Sequence, residues 1–107
     1  MITVLVVSDP GRARDLDRAA ARMPSLELLH ASDVEGALDR LARNRRIDGV
    51  LLLLDYESAL EIAKVVLEED PGAPPLFVAG SEVPGTRSLP AREPATLLES
   101  LERSLSG

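Results

Sequence analysis

The sequence predicts a three-layer α/β sandwich, a five-stranded parallel sheet with helices on both faces. Three observations carry that expectation. Short apolar runs alternate with segments of helical period along the whole chain. Val50 to Leu54 is apolar at every position, which only a strand buried on both faces explains. The connections are short, so sequential elements must pack beside one another as right-handed β-α-β crossovers.

Each element follows from its residues. Ile2 to Val7 is a continuous apolar run closed by Ser8-Asp9-Pro10-Gly11, a buried strand followed by a turn. Ala13, Leu16, Ala19, Ala20 and Met23 then recur at helical spacing until Pro24-Ser25. Leu26 to Ala31 is a second strand. Ser32-Asp33-Val34-Glu35 has the form of a capping box and opens a helix with the stripe Val34, Ala37, Leu38 and Leu41. Asn44-Arg45-Arg46 ends that helix, with cations where the helix dipole favours them.

After the central strand, Ala59, Leu60, Ile62, Ala63, Val66 and Leu67 make a third helix, ended by Asp70-Pro71-Gly72. Leu76 to Ala79 is a fourth strand. The stretch from Gly80 to Pro90 is rich in Gly, Pro and Ser and supports only a brief fifth strand near Arg87 to Leu89. Thr96-Leu97-Leu98-Glu99 reads as another capping box, before a helix with the face Leu97, Leu98, Leu101 and Leu105. A length of 107 residues fits one domain, 1–107.

Composition narrows the function. The net charge is −6, which disfavours nucleic-acid backbones and anionic lipid. Cysteine is absent, so disulfides, thiol nucleophiles and Cys-ligated zinc are excluded. The first strand begins at Ile2 with no basic lead and is too short to span a bilayer, so a soluble, cytoplasmic chain is expected. With only Tyr56 and Phe77 as aromatics, the core must be aliphatic.

Four fragments in order carry a family resemblance: Val6-Val7-Ser8-Asp9-Pro10 at the first strand end, Asp33-Val34-Glu35-Gly36-Ala37-Leu38, the run Asp48 to Asp55, and Glu93-Pro94 before a Leu-Leu-x-x-Leu helix. Over nearly its whole length the chain resembles the receiver domain of bacterial response regulators, a flavodoxin-like, CheY-like fold. The resemblance implies a carboxylate nucleophile, an acidic cluster for Mg²⁺, a hydroxyl and a lysine to stabilise the transferred phosphoryl group.

Those positions are altered here. Ser8 replaces the first acid of the pair and leaves Asp9. The family spacing from Asp48 lands on Leu53, and Asp55 follows two residues later with the same strand parity. The hydroxyl position falls on Gly80, with Ser81 next to it, and the lysine position holds Glu93. Lys64 is the sole lysine and lies in the third helix between Glu61 and Glu68. The stretch from Gly80 to Glu93 is too short for the family's fourth helix plus fifth strand, so that helix is expected to be shortened or missing.

Asp9 and Asp55 each have two readings, a surviving metal ligand or phosphoacceptor and a helix N-cap. His30, the only histidine, reads as an edge-strand residue and not as a general base. Arg40, Arg43, Arg45 and Arg46 form a basic cluster without the aromatics or motif a nucleic-acid site would bring. No cradle for a nucleotide is present, since the glycines lack the required spacing and partner lysine.

The expectation is therefore a pseudo-receiver that is not an enzyme, holds no cofactor and acts by binding a protein, a second copy of the chain included. The resemblance places partner contacts on the last strand and helix, with Arg87, Leu89, Arg92, Leu98, Leu101 and Leu105 as candidates, the leucines having a second reading as core. Two alternatives stand beside it. One is a working receiver phosphorylated on Asp55 with Mg²⁺, and the other is a ligand-binding flavodoxin-like domain using the cleft at the strand ends.

Overall fold

The chain was examined as a computed structural model that describes residues 1–44, 46–69, 72–90 and 93–106. The elements run β1 (Ile2–Val7), α1 (Pro10–Ala20), β2 (Leu26–Ala31), α2 (Val34–Arg43), β3 (Gly49–Leu52), α3 (Tyr56–Glu69), β4 (Leu76–Ala79), β5 (Arg87–Leu89) and α4 (Pro94–Ser106). All four strand pairings are parallel, in the order β2-β1-β3-β4-β5. The apolar strands thus occupy the centre, as their two-sided hydrophobicity requires.

Strand alternation divides the core into two layers. Leu5, Val7, Val50, Leu52, Leu76 and Val78 face Ala37 of α2 and Ala59, Ile62, Ala63 and Val66 of α3. Val4, Val6, Leu51, Phe77 and Leu89 face Leu16 of α1 and Leu97, Leu98 and Leu101 of α4. The start of β3 is pinned by Asp48, whose amide donates to the Thr3 carbonyl at 2.7 Å while its carboxylate accepts from the Thr3 amide at 2.8 Å.

Three boundaries differ from the sequence reading. β3 stops at Leu52, so Leu53 and Leu54 lie beyond the strand and pack as partly buried side chains against opposite core layers. α2 is capped by Asp33 and not by Ser32: the Asp33 carboxylate accepts from the Gly36 amide at 2.6 Å. α4 begins at Pro94, with the Glu93 carbonyl accepting from the Leu97 amide at 2.9 Å, so Thr96 lies inside the first turn. Pro94 needs no amide partner at that first helical position.

No helix lies between β4 and β5. Residues 80–86 connect the two parallel neighbours directly, where a crossover usually needs a dozen residues and a helix. Buried Val83 fills part of the space on the α3 side. The turn is closed by Thr86, whose amide and hydroxyl both donate to the Val83 carbonyl, at 3.1 and 2.7 Å. Gly85 has φ +85, a backbone region that glycine enters freely. Asp70, Pro71, Arg45, Arg92 and Gly107 lie outside the described residues, so the expected helix ends at Asp70-Pro71 and Arg45 are not placed.

Candidate functional site

The carboxyl ends of β1, β3 and β4 meet at the point where strand order reverses, which is where open parallel sheets place their sites. The carboxylates there serve the backbone. Asp9 caps α1, its Oδ1 accepting from the Arg12 amide at 2.9 Å, and Arg12 Nε lies 3.6 Å from its Oδ2. Ser8 is buried, and its hydroxyl donates to the Asp9 carbonyl at 3.0 Å. Asp55 begins α3: its carbonyl accepts from the Ala59 amide at 3.0 Å and its Oδ2 from the Ser58 amide at 3.2 Å.

This corrects the strand-parity argument for Asp55, because β3 has already ended and the residue belongs to the helix start. The Ser58 side chain first, and then its backbone amide, hold the Asp55 carboxyl below the usual carboxylate range. Hydrogen bonds to the charged form favour that form. A depressed native value contributes stability above the ordinary pKa that is lost as pH falls through the native one. Asp55→Ala is therefore expected to unfold at lower denaturant concentration than the parent at pH 7, with the gap closing below pH 3.8. Urea titrations at the two pH values check this, and a gap that widens in acid contradicts it.

The remaining receiver positions are equally changed. Leu53 is partly buried, and its amide donates to the Val7 carbonyl at 2.8 Å. Gly80 takes φ 73 and donates its amide to the Leu89 carbonyl at 2.9 Å. The Ser81 carbonyl accepts from the Ser88 hydroxyl at 2.6 Å. Glu93 is exposed at the start of α4. Among the described residues, no group of three or more His, Asp or Glu side chains converges as a metal site.

The other candidates have structural roles. Nε2 of His30, on edge strand β2, lies 2.7 Å from Asp17 Oδ1, while its buried Nδ1 has no hydrogen-bond partner. In the basic cluster, Arg43 Nε donates to Asp39 at 2.9 Å, one turn back on α2, and the Arg46 amide donates to Asn44 Oδ1 at 3.0 Å.

The partner face also needs correction. Leu98 and Leu101 are completely buried and Leu89 nearly so, because the leucine stripe of α4 closes the core over β3 and β4. Leu105 is half-buried over Gly49, where an added Cβ would stand 2.9 Å from its Cδ1. Arg87 alone is placed as exposed, its guanidinium 5.9 Å from the Phe77 ring centroid. Among the described residues the large exposed apolar side chains are Met1, Tyr56 and Leu67, and Leu67 is thus the one apolar position of the expected third helix that faces solvent.

A cleft of about 340 Å³ opens at the carboxyl ends of β3 and β4, between the starts of α1 and α4. Arg12, Asp15 and Leu16 line it from α1, Leu53 from the end of β3, Ser81 from the loop after β4 and Leu97 from α4.

Comparison with known proteins places this architecture. No family model and no curated protein matches the sequence. Solved structures do match. A putative response regulator from Chloroflexus aurantiacus superposes with a TM-score of 0.76 at 21% identity, over 99% of this chain and 98% of that one. CheY6 from R. sphaeroides, in complex with the phosphorylated P1 domain of CheA3, is similar at 0.69 and 18%, over 99% and 98%. The pseudo-receiver domain of CikA is similar at 0.65 and 18%, over 99% and 97%. The chain has the fold of response-regulator receiver domains, with four helices among the described residues.

Proposed function

We propose that the chain is a pseudo-receiver, a signalling module that binds a protein partner without being switched by aspartyl phosphate. The observation that carries this reading is Glu93, an exposed acid where receivers hold the phosphoryl group with a lysine. A carboxylate there repels a doubly negative group instead of stabilising it. Leu53 at the acceptor position and two aspartates engaged as helix caps support the same reading. CheY6 is in complex with the phosphorylated P1 domain of CheA3 in its structure, which supports a protein as this chain's partner too. No catalytic role and no cofactor enter the proposal. No helix among the described residues is long and apolar enough to cross a membrane, in keeping with a module that works in the cytoplasm.

Incubation with Mg²⁺ and acetyl phosphate, followed by intact-mass measurement, tests it. The expected result is an unchanged mass. A stoichiometric phosphoryl adduct that disappears in Asp55→Asn would establish the working-receiver alternative instead.

A further inference from the structure

The cleft at the strand ends carries two opposite charges that do not neutralise each other. Arg12 and Asp15 are three residues apart on α1, so they share a helix face, yet no ion pair joins them. Asp15 has no hydrogen-bond or ion-pair partner among the described residues. Arg12 makes one side-chain contact, to Asp9 at 3.6 Å, beyond hydrogen-bond length. Behind the charges the wall is aliphatic, with Leu16, Leu53 and Leu97, and the Ser81 hydroxyl lies on the same rim.

A ligand complementary to this cleft has both charge signs at one end and a short apolar body at the other. We propose that the cleft binds a free α-amino acid with an aliphatic side chain. The Arg12 guanidinium receives the α-carboxylate, for which its planar fork is suited. Asp15 accepts from the α-ammonium, and the side chain lies on the leucines, where its apolar surface leaves water. The volume agrees, since about 340 Å³ stands at the small end of ligand pockets, which run from roughly 300 to 1,000 Å³. A ligand with anionic groups alone is disfavoured, because Asp15 lines the cleft beside Arg12 and calls for a cation. The inference does not depend on the pseudo-receiver reading, and the mass measurement above leaves it untouched.

The test uses the ¹⁵N-labelled 107-residue chain and three probes. L-leucine carries both charges, 4-methylpentanoate lacks the ammonium and 3-methylbutylamine lacks the carboxylate. L-leucine is expected to give saturable amide shifts centred on Arg12, Asp15, Leu53 and Ser81. Each half-molecule is expected to bind about tenfold more weakly, as is L-leucine to Arg12→Gln or Asp15→Asn, since each loses one charge-assisted hydrogen bond. Both substitutions are at exposed positions, so the variants should keep the parent's thermal midpoint. Absence of saturable shifts at millimolar L-leucine overturns the proposal. So does equal binding of either half-molecule, or unchanged affinity in both variants.

Discussion

Leu101→Ala is expected to lower the free energy of unfolding by about 3 kcal/mol, within the range of buried leucine truncations. Leu101 is fully buried in the layer shared by α1, α4, Val4, Val6 and Phe77. Truncation removes apolar contacts and leaves a cavity that helices on a rigid sheet cannot collapse to fill. Against the roughly 5–15 kcal/mol that holds a domain together, this is a large fraction. Guanidinium titration should show a lower midpoint with an unchanged slope. Leu67→Ala, at a residue 58% exposed, should change the midpoint little. If Leu101 instead belonged to a partner-binding surface, the two variants would be equally stable.

Gly85→Ala is expected to cost about 1–2 kcal/mol, the penalty for placing a Cβ at a left-handed position. A Cβ there would also stand 2.5 Å from Leu67 Cδ1. That methyl ends an exposed side chain that can swing away, so the backbone conformation dominates. The double variant Leu67→Ala/Gly85→Ala should therefore recover only a minor part of the loss. Gly85→Asn should be milder than Gly85→Ala, because asparagine tolerates this region better. Thermal unfolding of the four proteins checks the order, and full recovery in the double variant would assign the cost to the contact.

Much of the fold was legible because strand alternation and helical period are written directly in apolar positions. The bounds of β1, β2, β4 and β5 agree with the residues that suggested them. The end of β3 was read two residues too late, since Leu53 and Leu54 remain apolar after the chain has left the sheet, each covering one core layer. Caps were displaced because Ser32 and Thr96 each precede a carboxylate by three residues, while the chain turns at Asp33 and Glu93.

The candidate site was legible in its losses and not in its geometry. Residue types alone marked Ser8, Leu53, Gly80 and Glu93 as departures from the pattern the resemblance implies. They could not separate a leucine stripe that closes a core from one that meets a partner, so Leu98 and Leu101 kept both readings until their burial decided for the core. Arg12 and Asp15 resemble any solvated helix face until the ends of β3 and β4 are seen beside them.

The direct β4–β5 link has a dynamic consequence. β5 is an edge strand of three residues, paired with β4 alone among the described residues, and no helix lies between the two strands to cover their α3 side. Regions with few buried contacts open at a free-energy cost well below that of global unfolding. Amide protons of β5 and the turn before it should therefore exchange with solvent while those of β1 and β3 stay protected. Any molecule that completes this edge would slow that exchange and reveal its own footprint.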